Sequence, residues 1–246
     1  MQTIMEDIIS LYNEGFSYSE IAVKCNCSQY KVWDRMKKSG LPMRGSGNSK
    51  PPRINPFLNF SPEAMYWLGY IIADGTITIN SRQHTLVLFS THKEILEKFN
   101  TFMNGFCKIH IWVNNVYGAR IHNKVLCDWL NNTCGITPNK ALTLNPTLPI
   151  TWDLLRGYFD GDGSIRLRGY HGEAKFTTGS KIWAERISQF LFDNDIYNII
   201  SVKGNAYDVN IYRKEESKKL YKKMYENATI YLEYKYDRFV ALFGNK

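Results

Sequence analysis

Two short segments of this sequence end in the same pair of residues, an aspartate followed by a glycine. The first is WLGYIIADG (67–75), which contains Asp74, and the second is LRGYFDGDG (155–163), which contains Asp162. Both are largely apolar, so we predict that each is a buried helix with its aspartate at the carboxyl end. Two adjacent carboxylates repel each other unless a cation lies between them. The pattern therefore predicts a site for a divalent metal ion with oxygen ligands, preferably Mg²⁺, with Mn²⁺ as a substitute.

A glycine at the same level of both segments explains how the aspartates could meet. Gly69 and Gly157 each lie five residues before their aspartate. We predict that the two helices pack backbone to backbone at these glycines, which would bring their carboxyl ends together. A pair of acidic metal sites of this kind suits in-line attack on two phosphodiesters related by pseudo-two-fold symmetry.

The two segments begin the two copies of a longer repeat. The aspartates are 162 − 74 = 88 positions apart, and VYGARIHN (116–123) aligns with AYDVNIYR (206–213) at an offset of 206 − 116 = 90. An offset that holds within two residues over a whole unit indicates an internal duplication. We therefore predict two repeats, at 60–147 and 148–246.

The runs that follow each segment predict the same order of elements in both repeats. The predicted strands are 76–80, 84–90, 107–113 and 116–122 in the first repeat and 164–168, 173–179, 198–203 and 206–212 in the second. The predicted helices after the first segment are 92–103 and 123–132, and those after the second are 181–193, 214–226 and 230–242. Each repeat thus supplies four strands and the helices that cover them.

Polar and apolar residues alternate along several of these strands, which predicts a polar face and a buried face for each sheet. Ile109 and Ile111 are expected on the buried side. Polar, basic and aromatic groups on the other side can contact base edges and phosphates. The predicted DNA-contacting residues are Thr76, Thr78, Asn80, Lys108, His110, Ser164, Arg166, Arg168 and Lys175.

Residues 1–40 predict a separate domain of three short helices. Ser17 followed by Glu20 is a capping-box pattern for the second helix, and Ser28 is a cap for the third. The layout is that of a helix-turn-helix motif and resembles the small DNA-binding domains of resolvases. On that reading the third helix enters the major groove of DNA. Its predicted contacts are Gln29, Tyr30, Lys31 and Arg35.

Residues 41–59 are rich in glycine, serine, asparagine and proline and are predicted to be a linker. Its basic residues, Arg44 among them, could follow a phosphate backbone. The whole chain has a formal net charge of +8, which favours a polyanionic partner.

The distribution of apolar residues also predicts where in the cell the protein is found. No stretch has the roughly 18–20 uninterrupted apolar residues of a membrane span, and MQTIMEDIIS at the start lacks the features of a secretory signal. We therefore expect no membrane partner and a cytoplasmic location. The style of the N-terminal domain leads us to expect a bacterial or phage setting.

The two aspartate-containing segments, WLGYIIADG and LRGYFDGDG, resemble the paired motifs of single-chain LAGLIDADG homing endonucleases. The resemblance covers roughly residues 60–243. It implies an α+β fold with two pseudo-symmetric αββαββα repeats, whose antiparallel sheets form a saddle over the major groove, here preceded by the small all-α helix-turn-helix domain. One departure is that Ile72 of the first copy stands where the consensus has an acid and the second copy has Asp160.

The family resemblance also implies roles for individual residues. Asp74 and Asp162 would be the metal ligands, assisted by the backbone carbonyls of Ala73 and Gly161. Lys140 and Lys235 resemble the basic positions that help to stabilise the phosphorane. All four side chains are therefore expected to be catalytic, since a fixed cation stabilises developing phosphate charge.

The activity implied is that of a monomer that makes a metal-dependent double-strand break in a long DNA target and leaves short 3′ overhangs. Two alternatives share the fold and stay open. One is a regulator that binds double-stranded DNA without cutting it, and the other is a maturase that binds the RNA of its host intron.

Overall fold

The computed structural model of the chain describes residues 3–13, 16–39, 55–168 and 171–244. Within these ranges, no helix is both long and apolar enough to cross a membrane. The linker residue Arg44 lies outside the described residues.

The N-terminal part consists of three short helices, α1 (Thr3–Asn13), α2 (Tyr18–Lys24) and α3 (Gln29–Lys38). The Ser17 hydroxyl accepts a hydrogen bond from the Glu20 amide, and the Glu20 carboxylate accepts one from the Ser17 amide at 2.9 Å. The capping box predicted for α2 is thus confirmed, as is the cap of α3 by Ser28. These helices share a small core of their own, formed by Ile8, Tyr12, Ile21, Ala22, Val32 and Met36.

The two repeats follow one order of elements. The first contains α4 (Pro62–Asp74), β1 (Gly75–Ile79), β2 (His84–Ser90), α5 (Lys93–Phe102), β3 (Lys108–Ile111), β4 (Tyr117–His122) and α6 (Lys124–Asn132). The second contains α7 (Trp152–Asp162), β5 (Gly163–Arg168), β6 (His171–Thr178), α8 (Lys181–Asp193), β7 (Ile199–Lys203), β8 (Ala206–Ile211) and α9 (Lys214–Tyr225), followed by α10 (Glu233–Phe243). The predicted α+β fold of two αββαββα repeats is confirmed.

Each repeat forms one antiparallel four-stranded sheet, in the order β1-β2-β4-β3 and β5-β6-β8-β7. Alternate strand residues such as Ile77, Leu86 and Ile121 are buried in the core that the sheets share with the helices. The opposite face of each sheet carries exposed polar residues such as Thr76, Lys108 and Arg166, and we call these the open faces. One prediction for β3 is wrong. Ile111 is 72% exposed, because it is the last residue of an edge strand rather than part of a covered layer.

Helices α4 and α7 form the centre of the molecule. Ser61 caps α4 and Thr151 caps α7 through their hydroxyl groups, so both helices begin at fixed points. Every residue of α4 from Ala64 to Ile72 is buried, because α4 has neighbours on all sides. This burial explains why the segment shows an apolar run rather than the stripe of a surface helix.

Candidate metal and DNA-binding site

The central helices touch through their backbones at the two glycines. A Cβ atom on Gly69 would overlap the carbonyl oxygen of Leu154, and one on Gly157 would overlap the carbonyl oxygen of Tyr66. The two contacts are equivalent. In each, a glycine of one helix meets the residue that lies three positions before the glycine of the other helix, Leu154 in one case and Tyr66 in the other. The two helices therefore cross at equivalent positions, and their carboxyl ends lie next to each other.

Asp74 and Asp162 are the last residues of α4 and α7. A Cβ atom on Gly161 would lie 3.2 Å from Oδ2 of Asp74, so the Asp74 carboxylate lies directly against the end of the other helix. Burial and, after it, the negative charge of Asp162 raise the pKa of Asp74 to about 7, while the two nearby lysines act in the opposite direction. Desolvation in this cleft also raises the pKa of Asp162, although the residue as a whole is exposed at its rim.

Lys140 and Lys235 hold the ends of the two helices in equivalent ways. The Lys140 ammonium donates to the carbonyl oxygens of Ala73, at 3.4 Å, and Gly75. The Lys235 ammonium donates to the equivalent carbonyls of Gly161, at 3.1 Å, and Gly163, at 2.7 Å. Each lysine thus binds the carbonyls on either side of its aspartate.

Lys235 is the more deeply engaged of the two lysines. It is 3% exposed and also donates to the carbonyls of Phe159 at 2.7 Å and Asp160 at 2.6 Å. Burial lowers the pKa of Lys235 to about 8 and also lowers that of Lys140. An ammonium has three protons, so four carbonyl contacts leave Lys235 none to offer a substrate. Lys140, with two acceptors, keeps one.

The groups at the helix ends fit a hard divalent cation. Two carboxylates and the carbonyls of Ala73 and Gly161 form a set made only of oxygen atoms, which is the set that Mg²⁺ prefers. Each carbonyl has two lone pairs, so one lone pair is left after the lysine hydrogen bond. Burial, and after it the charge of Asp162, raises the pKa of Asp74, and a cation between the two carboxylates would favour their charged forms. Within the described ranges, no group of three or more His, Cys, Asp or Glu side chains offers a different metal site.

Asp160 has a structural position away from this cleft. It is 2% exposed, and its carboxylate accepts hydrogen bonds from Tyr66 Oη at 2.8 Å, Tyr225 Oη at 3.0 Å and the Leu232 amide at 2.7 Å. Burial raises its pKa to about 6. Ile72, at the equivalent place of the first repeat, is simply buried in the core. The difference between the two motifs is therefore a difference in packing partners.

The polar strand residues lie where the alternation places them. Thr76, Asn80, Lys108, His110 and Arg166 are exposed, and Thr78, Ser164 and Lys175 are half-buried. Arg168 ends β5 in register with His171.

Lys175, predicted to contact DNA, forms an ion pair within the sheet. Its ammonium donates to Asp208 at 2.7 Å, and the Thr177 hydroxyl donates to the other oxygen of the same carboxylate at 2.6 Å. Two neighbouring strands make this pairing, which the sequence of either strand alone does not reveal. The charge of Lys175 is thus largely offset within the open face of the second sheet.

The third N-terminal helix presents most of its predicted contact residues to solvent. Gln29, Tyr30 and Lys31 are exposed, and Arg35 is half-buried. The sequence reading did not include Trp33 among the contacts, yet its ring lies 5.7 Å from that of Tyr30 and 5.0 Å from the Lys37 ammonium. Spacing could have revealed this contact, since residues three or four apart share one face of a helix.

The open face of the first sheet also contains residues that the sequence reading missed, above all Arg120 on β4. Its guanidinium carbon lies 5.3 Å from the ring centre of Trp112. Arg120 could be identified as a candidate DNA contact only from the strand pairing, because its Cα lies opposite Lys108 of β3.

Comparison with known proteins supports the repeat and the fold. A family model described as a LAGLIDADG-like domain matches residues 61–125 and 153–225. The meganuclease I-AabMI, solved bound to uncleaved DNA, has a similar structure, with a TM-score of 0.53 and 13% identity over 77% of this chain and 90% of that chain. A variant of I-DmoI, solved with its nicked target DNA and manganese, has a TM-score of 0.52 and 17% identity over 68% of this chain and 97% of that chain.

The meganuclease I-SmaMI, solved bound to an uncleavable DNA, has a TM-score of 0.53 and 13% identity over 76% of this chain and 88% of that chain. No curated protein sequence matches this one. The family model, by contrast, covers both repeats, and the two matched ranges together make up more than half of the chain. This protein therefore belongs to the LAGLIDADG-like domain family.

Proposed function

We propose that this protein is a site-specific homing endonuclease, which hydrolyses one phosphodiester in each strand of a long DNA target. The observation that carries the proposal is the pair Asp74 and Asp162, each at the end of a central helix and each with a lysine bound to the carbonyls beside it. A pseudo-symmetric pair of acidic sites suits a substrate whose two strands are themselves related by a two-fold axis.

Asp74 and Asp162 would hold the divalent cations, assisted by the carbonyls of Ala73 and Gly161. Mg²⁺ is the cation proposed, with Mn²⁺ as a substitute, and manganese accompanies DNA in the structure of the I-DmoI variant. Bound at this place, such a cation supplies positive charge for the developing charge on phosphate. Because the aspartates lie at adjacent helix ends, the two cuts would be close together, which agrees with short 3′ overhangs.

The two lysines have different proposed roles. Lys140 keeps one N–H, so it can donate to a phosphate oxygen or to the attacking water in the transition state. Lys235 has all its protons engaged by carbonyls, so we assign it the positioning of the α7 end and a fixed positive charge nearby. Of the two lysines expected to act on the substrate, we therefore assign direct contact with it to Lys140 alone.

The DNA would lie across the two open faces. Exposed polar and basic residues such as Lys108, His110 and Arg166 lie there, and I-AabMI and I-SmaMI were both solved bound to DNA. We propose that α3 of the N-terminal domain contacts a further stretch of the same duplex through its exposed residues. We further propose that one chain acts alone as a monomer, since it already contains both halves of the site.

The proposed test digests genomic DNA fragments with the full chain and Mg²⁺, followed by sequencing of the new ends. Wild type should yield a small set of paired ends with short 3′ overhangs, and Asp74→Asn and Asp162→Asn should yield none. Asp193→Asn, which changes an exposed carboxylate at the end of α8, is the matched control and should cut normally.

Two results would replace the proposal with an alternative. Tight sequence-specific binding of DNA without any metal-dependent cutting by wild type would indicate a regulator. Preferential binding of intron RNA, with no cutting of DNA, would indicate a maturase.

A further inference from the structure

Arg120 is held in place on the open face of the first sheet by stacking on an aromatic ring. It belongs to β4, where its Cα lies opposite Val87 of β2 and Lys108 of β3. Within the described parts of the chain its guanidinium contacts the Trp112 ring, and its Nε is buried without a hydrogen-bond partner. Nε therefore does not tie the guanidinium to a neighbouring group of the sheet, and an acceptor brought by a ligand to the outer edge of the guanidinium would be favourable.

The Trp112 ring is itself fixed by two neighbours. A Cβ atom on Gly118 would lie 2.6 Å from the indole nitrogen, so the ring packs against a residue whose lack of a side chain leaves room for it. The ring also meets Phe89 edge-on, at 5.2 Å between centroids. Stacking on such a ring holds the plane of a guanidinium. Trp112, Phe89 and Gly118 therefore form a platform that orients Arg120.

The charge around Arg120 is positive. Its own charge and that of Lys108 lower the pKa of His122, after the larger effect of burial. The strands β1 to β4 contain no aspartate or glutamate, so the sheet provides no carboxylate to pair with the guanidinium. A negatively charged or strongly accepting partner for Arg120 would therefore come from outside these strands.

The second repeat shows the opposite arrangement at the equivalent place. The offset of 210 − 120 = 90 puts Asn210 there, and its amide donates to Ser201 Oγ at 2.9 Å and to the Asp208 carbonyl at 2.9 Å. Asp208, equivalent to Gly118, pairs with Lys175. Around Asn210, polar groups of the second open face thus hydrogen-bond to one another, whereas Nε of Arg120 has no such partner within the described residues.

We propose that Arg120 reads a guanine in the half of the target covered by the first repeat. This inference rests on the proposed function, since it assumes that double-stranded DNA lies on the open faces. Guanine presents O6 and N7 in the major groove, and a planar guanidinium can donate to both at once. Arg120 suits that role because β4 is an inner strand of the sheet, opposite the groove floor. Lys108, on the edge strand β3, is better placed for the phosphate backbone.

A binding selection from a randomised double-stranded oligonucleotide library tests the assignment. The full chain is used in EDTA, so that cleavage does not consume the bound DNA. Wild type should enrich one motif, and Arg120→Ala should reduce the preference for guanine at one position by roughly 5- to 150-fold, the range for a bidentate contact. Preferences at the other positions should be unchanged.

Three further variants separate base reading from simple charge. Arg120→Lys keeps the charge but lacks the planar fork, so it should also lose the guanine preference. Trp112→Ala should weaken the same preference, because the guanidinium loses its platform. Lys181→Ala removes an exposed charge of α8 and should leave the motif as in wild type.

The outcomes that contradict the inference are distinct from failure of the proposed function. Equal weakening of all sequences by Arg120→Ala, with a smaller salt dependence and full recovery in Arg120→Lys, would make Arg120 a phosphate contact and overturn the inference. A wild-type motif that Arg120→Ala leaves intact would overturn it as well. If wild type enriches no motif at all, the proposed site-specific function fails and the inference fails with it. Circular dichroism spectra that match wild type establish that the variants are folded.

Discussion

The carbonyl oxygen of Leu154 occupies the space in which Gly69 would carry a Cβ atom. The same relation holds in reverse between Tyr66 and Gly157. Helices α4 and α7 are therefore closer than any side chain at these positions would allow, and the aspartates five residues further on meet as a result.

Substitution of Gly69 by alanine should separate the helices. Backbone cannot yield as a flexible side chain does, so we expect a loss of about 3 kcal/mol or more in the free energy of unfolding, at the upper end of overpacking effects. Urea denaturation measures this. Gly204→Ala is the control, because its Cβ would meet nothing within 4 Å and only its positive φ should cost about 1 kcal/mol. Equal losses in the two variants would contradict the close approach of the helices.

Removal of one hydroxyl should reveal the structural role of Asp160. In Tyr66→Phe the buried carboxylate loses the 2.8 Å hydrogen bond from the other repeat. We expect a destabilisation of about 1.5–3 kcal/mol, typical of a hydrogen bond to a charged group, with the metal-dependent activity of the folded protein preserved. Tyr70→Phe, which removes a hydroxyl bonded to the neutral Ser90 at 3.3 Å, should cost less. A larger loss in Tyr70→Phe would argue against this role for Asp160.

The two lysines should differ when each is replaced by methionine, which keeps the length of the side chain. Lys235→Met should lower the free energy of unfolding more than Lys140→Met, because Lys235 is bound to four carbonyls and Lys140 to two. Lys140→Met should instead show the clearer loss of cleavage rate among molecules that remain folded. Thermal unfolding and single-turnover cleavage separate the two effects, and the reverse ranking in both would overturn the division of roles.

The metal-free protein should lose stability as pH rises from about 4 to about 7. The folded-state pKa of Asp74, about 7, lies above its usual value, and that of Asp160, about 6, is raised as well. The folded state therefore holds more protons than the unfolded state in this window, so the unfolding free energy falls with pH. Urea titrations in EDTA measure it, and Asp74→Asn should flatten the upper part of the decline. No difference between the variant and wild type near pH 7 would contradict the shift of Asp74.

Deletion of residues 1–40 should shorten the DNA contact at one end. We expect a DNase footprint that is shorter on one side, weaker binding and a smaller dependence of affinity on salt, because fewer phosphates are neutralised. Tyr30→Ala in the full chain, which removes an exposed aromatic side chain of α3, is the point-variant counterpart. An unchanged footprint and salt dependence would mean that the three helices contact something other than this DNA.

The repeated motif made most of the fold predictable. An offset that holds across a whole unit predicts the order of helices and strands, and the predicted helix 181–193 agrees with α8 at both ends. The caps at Ser17 and Ser28 were also predictable, because their partners lie three residues away and such contacts are local.

The partners of individual site residues could not be predicted, because they lie in distant parts of the chain. The role of Asp160 could not be predicted, because its partners Tyr66 and Tyr225 lie 94 and 65 residues away in the chain. Lys175 and Asp208, 33 residues apart, pair because β6 and β8 are neighbours. Such pairs follow from strand register, which a single strand sequence does not define.

The hydrogen bond from Tyr66 to Asp160 means that the two halves of this molecule are no longer interchangeable. The offset of 154 − 66 = 88 puts Leu154 at the place of Tyr66 in the second repeat. A homodimer of second repeats would thus bury two carboxylates facing leucines, and a homodimer of first repeats would bury two tyrosine hydroxyls facing Ile72. If the chain were cut between the repeats, each half would prefer the other over a copy of itself. One asymmetric buried contact thus favours the pairing of unlike repeats over the pairing of identical ones.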